Sequence, residues 1–428
     1  MTYQSMTNDE LKAILDSQLV KYNEYVSDGV KLDMARGKPG QEQLDMSEGI
    51  LKTITCNEDC ITDDGLDCRN YGGLEGLLSA RQLFADVFDL DPEKIILGGN
   101  SSLNMMYDII SRAYNFGFCD SVRPWCKESR VRFLCPSPGY DRHFSICELF
   151  GIEMIIVPMT DEGPDMDVVR SYVEYDEEVK GIWCVPKYSN PTGVVYSDRV
   201  ISQLASLEPA APDFRIFWDD AYAIHDFYEH IKIKDIFSEC EKNGNPNMPI
   251  MFASTSKITF PGNGVALVSA SVENLNNFKK YMTVQTIGPD KINQLRHVKY
   301  FKDKAGVMEH MHRHADILRP KFEAIVDVFE KELSDTGIAK WTCPKGGYFI
   351  SFDSLPGCAK EIFKLCKNAG LTLTTAGATY PYGKDPDDCN IRIAPSYPNL
   401  DQLMAAVERF IVCVKIASIN KILYDREK

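Results

Sequence analysis

Residues 249–271, PIMFASTSKITFPGNGVALVSAS, hold two short apolar runs joined by a loop that carries a single lysine. The runs, 249–255 and 264–271, are short, rich in apolar residues and bounded by Pro and Gly, so they read as strands. The loop sets Lys257 among small hydroxylated residues, with no charged neighbour for several positions on either side. Surface lysines of this chain sit among other charges, as in KDKAG and DREK. A desolvated amine has a lowered pKa and is the side chain that forms Schiff bases with carbonyls. A phosphate-loop lysine or a snorkelling lysine fits the same setting, and the loop alone leaves these readings open.

Working outward, five more apolar runs rich in β-branched or aromatic residues stand upstream, at 94–99, 131–136, 153–159, 181–186 and 215–220, giving seven candidate strands. Helical periodicity fills the gaps, as in GLEGLLSARQLFADVF before the first run and SLNMMYDIISRAYNF after it. Strands alternating with helices predict an α/β class, with a seven-stranded, mostly parallel sheet covered on both faces. An amphipathic stretch at 302–333, the run GGYFISF and a helical segment at 399–424 predict a smaller α+β domain. The expected division is a large domain over 51–310 and a small one over 311–428, to which residues 1–50 contribute.

The chain has 428 residues, 25% charged and 44% apolar, and a formal net charge of −15. That acidity and the lack of any Lys/Arg-rich run argue against a nucleic-acid partner. No apolar run approaches membrane-spanning length and MTYQSMTNDE has no leader character, so a cytoplasmic protein is expected. Fourteen cysteines lie scattered with no CxxC pair and read as buried free thiols of a reducing compartment. No metal is expected. Cys56, Cys60 and Cys68 lack a second pair at finger spacing, and His310, His312 and His314 of EHMHRH, spaced by two, read as a solvated helix surface.

Ligands of open α/β sheets bind beyond the carboxyl ends of the strands. After 94–99 comes GGNSSLNMM, where Asn100, Ser101 and Ser102 open a helix suited to a phosphate. After 131–136, Tyr140 of PSPGYDRHF follows a Pro-Gly turn and can stack on a flat ring. Asn190 of KYSNPTG precedes a turn that fixes its direction. DDAY supplies Asp219, Asp220 and Tyr222, and the next strand leads to Lys257. Each signal alone is modest. Together they offer a lysine for an aldehyde, a carboxylate for a pyridine nitrogen, hydroxyls for a ring oxygen, an aromatic face and a helix start for a phosphate, which is what pyridoxal 5'-phosphate needs.

Through NYGGLEG, PGYDRHF, SNPTG, DDAY, STSK and IRIAPSYP the chain resembles, over essentially its whole length, fold-type I pyridoxal-phosphate enzymes of the aspartate aminotransferase superfamily. The segments ARGKPGQEQLDMS and SKITFPGNGVA are most similar to the type Ic aspartate aminotransferases, kin to the aminotransferase-like domain of MocR-type regulators. The resemblance implies Lys257 as Schiff-base lysine and proton shuttle and Asp219 as partner of the pyridinium nitrogen. It implies Asn190 and Tyr222 on the ring oxygen, Tyr140 on the ring face, and Ser101, Ser102 and Ser254 on the phosphate. Tyr71 would reach the phosphate of a second subunit in a homodimer, and Arg392 with the backbone of Gly37 would hold the substrate α-carboxylate.

One departure stands out. The superfamily usually has an arginine for the phosphate a few residues past the lysine, where this chain reads PGNG, so the helix start, hydroxyls and Asn100, or a basic residue from elsewhere, are expected to carry that role. The implied reaction is ping-pong transamination between an amino acid, expected to be aspartate or glutamate, and a 2-oxo acid. A β-lyase, decarboxylase or racemase would use the same residues. A non-catalytic regulatory module would need a DNA-binding domain, for which the residues before ARGKPG are too few and too acidic. Arg36, Lys38, Lys291 and Arg296 are the cations open to a distal carboxylate.

Overall fold

The computed structural model describes residues 2–428. Its strands run in chain order β1 (Leu32–Asp33), β2 (Ile95–Leu97), β3 (Arg132–Ser137), β4 (Glu153–Thr160), β5 (Gly163–Pro164), β6 (Val179–Cys184) and β7 (Arg215–Asp219). They continue with β8 (Pro249–Ser254), β9 (Ala266–Ala270), β10 (Ala339–Trp341), β11 (Ile350–Ser354), β12 (Leu371–Thr372) and β13 (Asn390–Ile393). The main sheet has the order β2-β9-β8-β7-β6-β3-β4-β5. All seven runs seen in the sequence are strands of it. The eighth, β5, is a two-residue edge strand antiparallel to β4, too short for any periodicity to reveal. The run β4-β3-β6-β7-β8 is parallel throughout, and β9 runs against both its neighbours.

Residues of β6, β7 and β9 are buried without interruption, as strands covered on both faces must be. Successive side chains point to opposite faces. Phe133, Trp183 and Phe217 therefore join one core with Met106, Ile109 and Ile110 of the helix Ser102–Phe116. Leu134, Ile182, Ile216 and Trp218 join another, with the helices Met166–Val173 and Asp198–Ala205. Covering helices start at side-chain caps, among them Ser101, Asp165, Ser197 and Ser271, each accepting a backbone N–H two or three residues on.

The later part of the chain builds a second sheet, β10-β11-β13, all antiparallel. Long helices Lys304–Leu333 and Leu400–Glu427 pack with it. The N-terminal helix Asn8–Ser27, opened by a Thr7/Glu10 capping box, lies against the second of these. Strand β1 pairs in parallel with β12, Leu32 opposite Leu371. No helix among the described residues is long and apolar enough to cross a membrane. All fourteen cysteines are free, but Cys56, Cys119, Cys126 and Cys343 are exposed rather than buried.

The helix Lys304–Leu333 corrects one expectation. His310 and His314 are four apart, share one face and are buried, leaving only His312 for the solvent side. Each Nε2–H donates to the carbonyl of Ile258, at 2.8 and 3.0 Å, directly after Lys257. Gln43 donates through its amide to Tyr348 Oη (2.8 Å) and lies 2.8 Å from His314 Nδ1, and Tyr348 donates to the Lys257 carbonyl (3.3 Å). The lysine loop is thus backed by a buried polar network spanning three distant parts of the chain.

Candidate active site

A cavity of about 550 Å³ opens at the carboxyl ends of the parallel strands, where the chain leaves β2, β3, β6, β7 and β8. It brings together Ser101, Ser102, Tyr140, Asn190, Asp219, Tyr222, Ser254, Lys257 and, from the second sheet and the N-terminal segment, Arg392 and Gly37. Lys257 follows β8 on a single turn of 3-10 helix, Thr255–Lys257. Its Nζ stands 5.0 Å from the centre of the Tyr222 ring and has no hydrogen-bond or ion-pair partner among the described residues. Burial lowers its pKa, against the opposing charge of Asp219. This is the setting of a nucleophilic amine.

Asp219 ends β7 and is buried. His143 donates through Nε2–H to its Oδ2 (3.0 Å), and the imidazole is stacked on Trp183 at 4.3 Å. Its Oδ1 is buried with no partner among the described residues. A buried carboxylate oxygen left unpaired at a cavity wall is costly unless a ligand supplies the donor. Asp220, the adjacent carboxylate, is also buried but points to the cluster of Lys187 and Asp226, away from the cavity. Desolvation raises its pKa to about 7, with Lys187 opposing.

At one end of the cavity the helix Ser102–Phe116 begins. Ser101 is its cap, accepting the Leu103 N–H at 3.2 Å. Ser254 donates to Ser256 Oγ (3.1 Å), which donates to the Asn100 carbonyl (2.6 Å). Hydroxyls and helix-start amides thus converge where an anion is favoured. Asn100 itself does not reach in: its amide donates to the Pro261 carbonyl (3.1 Å), tying down the PGNG turn. Asn293 donates to the Gly264 carbonyl (2.8 Å) from the other side, and a Cβ at Gly264 would press on the Asn100 carbonyl. Polar bonds to backbone, and no arginine, hold this loop.

At the other end stands Arg392 on β13, opposite Ser351 of β11. Its guanidinium packs over Phe349 at 4.9 Å and donates through Nη1 to Asp141 Oδ1 (2.7 Å) and Asn190 Oδ1 (3.3 Å). Gly37 lies on the same Phe349 ring, so closely that a Cβ there would overlap it. Of the four cations considered for a distal carboxylate only Arg36 lines the cavity. Lys38 sits over the Tyr397 ring at 3.7 Å, Lys291 donates to the carbonyls of Asn70 and Gly72 at 2.7 Å each, and Arg296 lies outside. Tyr71 does not line this cavity and is 81% exposed.

His143, Asp141, Arg142, Ser256 and Thr374 line or support the site and were not foreseen. His143 had a signal: it stands three residues after Tyr140 at a helix start, so both face one way. Thr374 had none, because only the pairing of β12 with β1 brings it there.

Residues 6–426 match the family described as "Aspartate amino-transferase". The chain belongs to the aspartate aminotransferase family. It is therefore an aminotransferase. It is 46% identical over 399 residues to an aspartate aminotransferase of Corynebacterium glutamicum, covering 93% of this chain and 92% of that one. It is equally 46% identical to a putative aminotransferase of Mycolicibacterium smegmatis over 428 residues, the full length of both. An aspartate transaminase structure from C. glutamicum superposes with a TM-score of 0.95 at 44% identity, covering 99% of each chain. Within the aspartate aminotransferase family the observed architecture is the expected fold type I.

Proposed function

We propose that this aminotransferase uses pyridoxal 5'-phosphate to move an amino group between aspartate or glutamate and a 2-oxo acid. The observation that carries the reading is the pairing, in one cavity, of a partnerless lysine amine with a buried carboxylate that keeps one oxygen unbonded. A pyridinium N–H satisfies that oxygen, and the serines and helix start at the cavity's end suit its phosphate, so the residues present fit the group. Lys257 would hold the cofactor, Asp219 its ring nitrogen, Asn190 and Tyr222 its ring oxygen, Tyr140 its face, and Ser101, Ser102, Ser254 and Ser256 its phosphate. When bound, the cofactor supplies the electron sink for the bonds at the substrate Cα.

The chain's own residues do the rest. Lys257, lowered in pKa by burial, would accept the Cα proton at Nζ once the substrate amine has displaced it, and would deliver it to the cofactor's aldehyde-derived carbon, a general acid–base role worth about 10² to 10⁴ in rate. Asp219, oriented by the His143 N–H, would stand against the ring nitrogen and favour its protonated form. Arg392 and the Gly37 backbone grip the α-carboxylate, and Arg36 and Arg142, both exposed at the cavity without an ion pair among the described residues, offer cations for a distal one. The homodimer belongs to this reading, with Tyr71 reaching the phosphate of the second subunit, as does the division into a large domain over 51–310 and a smaller one. A panel of amino donors assayed against 2-oxoglutarate, with the cofactor spectrum followed on adding each donor, tests it. Aspartate and glutamate should convert the spectrum and neutral amino acids far less. Release of carbon dioxide, ammonia or the D-amino acid in place of an oxo acid would favour a decarboxylase, lyase or racemase.

A further inference from the structure

The cavity is short of one free edge. A guanidinium binds a carboxylate best through two parallel N–H groups, and Arg392 has two such edges. The edge that includes Nε is not open to the cavity: Nε is buried with no partner among the described residues, and the Phe349 ring covers a face of the guanidinium. The edge left for the cavity is Nη1 with Nη2, and it is already taken. Nη1 donates to Asp141 Oδ1 and Asn190 Oδ1, and Nη2 to Thr374 Oγ1 (3.4 Å). Asn190 and Thr374 are neutral and share the edge at 3.3 and 3.4 Å. Asp141 is a full carboxylate at 2.7 Å, the contact a substrate carboxylate would make.

We propose that Asp141 is a competing internal carboxylate, which the substrate α-carboxylate displaces from Arg392 and which sets how tightly the site holds its substrate. This rests on the assignment of Arg392 to the α-carboxylate. Asp141 is placed to yield. Its side chain is 29% exposed while that of Arg392 is 8% exposed, so the aspartate can turn toward solvent and the arginine cannot. It occupies the first position of the helix Asp141–Leu149, where free N–H groups favour an anion whichever way it turns. Its chain neighbour Arg142 carries no ion pair among the described residues and lines the same cavity. Exchange of one carboxylate for another conserves the charge around Arg392. It keeps that buried cation paired when no substrate is present, and it lowers apparent affinity by the fraction of molecules in which the edge is closed. Ligands without a carboxylate have nothing with which to open it.

The test uses the cofactor-loaded protein and succinate, a dicarboxylate that carries no amine and cannot react. Asp141→Asn should lower the succinate dissociation constant by about tenfold, as expected for removal of a partly buried competitor, and should lower KM for aspartate by more than it changes kcat. Asp141→Glu, which keeps the charge, should stay near the parent. A crystal structure with succinate should show the Asp141 carboxylate beyond 4 Å from Arg392, the usual ion-pair limit. An unchanged or raised succinate constant in Asp141→Asn, with melting temperature preserved, would make Asp141 a strut for Arg392 and overturn the proposal. So would a succinate complex in which the Asp141–Arg392 pair persists. Failure of the parent to transaminate aspartate would instead count against the substrate reading, since succinate binding is measured without turnover.

Discussion

Lys257 and Asp219 line one cavity in opposite settings, and their neighbours make the difference. The amine is surrounded by side chains that offer it no hydrogen bond, whereas the carboxylate is held by His143 and left one oxygen short. Lys257→Ala should therefore abolish the visible absorption of bound cofactor and all turnover. The melting temperature of the unloaded protein should stay within a few degrees, because no fold contact uses the amine. Asp219→Asn should still bind cofactor and lose most of its activity, since a neutral partner cannot keep the ring nitrogen protonated. Asp220→Asn should act on stability. The folded protein holds Asp220 protonated up to about pH 7, far above the ordinary carboxyl value. Its contribution is present in full below about pH 4 and is lost as pH rises through 7, where a buried charge must form. The asparagine variant should lose less stability than the parent between pH 6 and 8 in urea denaturation, while keeping more activity than Asp219→Asn. The reverse ranking in activity would mean that the wrong carboxylate has been assigned to the ring nitrogen.

Among the elements, the segment after β1 and the helix Lys304–Leu333 share one task. Gly37 lies flat on Phe349, and Gln43, a few residues on, is locked to His314 and Tyr348 behind Lys257. Gly37→Ala should push this segment off the ring and raise KM for carboxylate substrates by roughly tenfold, an overpacking cost of about 1–3 kcal/mol focused on a binding wall. Steady-state kinetics and a thermal melt would separate that from general unfolding. The same helix showed where linear reading stops. Three histidines at spacing two look like surface, yet positions 310 and 314 are one turn apart, and the Ile258 carbonyl gives both a partner. The strands β2 to β4 and β6 to β9 were legible because apolar composition and Gly/Pro boundaries report burial directly. Strand β5 was not, because two residues carry no period.

For the whole molecule the buried histidines are the groups that respond first as pH falls below neutrality. His225, His297, His310 and His314 are all held below the usual value, chiefly by burial, with His225 and His314 lowered to about 3 and His297 to about 4. The unfolded chain takes up these protons first. Stability is intact above about pH 6.5 and is lost as pH falls from there, each histidine adding up to about 1.4 kcal/mol per pH unit. Asp220 runs the other way over part of this window, but four groups outweigh one. The urea midpoint should drop clearly from pH 7.5 to 5.5, and His314→Gln should shrink that drop; an equal drop in the variant would remove His314 from the account. Assembly makes a prediction of its own. Tyr71 stands 81% exposed, away from this chain's cavity, and Val284 and Ile287 are exposed beside it around one surface depression. Tyr71→Phe should weaken pyridoxal phosphate binding by about 1.5–3 kcal/mol, a hydrogen bond to a charged group, and light scattering should report a dimer. A fully active monomer that holds cofactor as tightly without the hydroxyl would remove the shared-site reading.

The sequence by itself determined the α/β class, the strand ends that face the cavity and the residues on them, from Ser101 to Lys257. These follow from local order: each group sits at the end of, or a few residues beyond, a strand whose apolar run announces it, and strand ends of a parallel sheet converge. Tertiary structure decided what depends on packing between distant segments. It turned Asn100 onto the Pro261 carbonyl, left Arg36 at the cavity while engaging Lys38 and Lys291 elsewhere, and set His143 under Asp219. It also closed Arg392 with Asp141, two residues 251 positions apart. Direction and partner of a side chain are properties of the assembled core, and no local pattern of residue types encodes them.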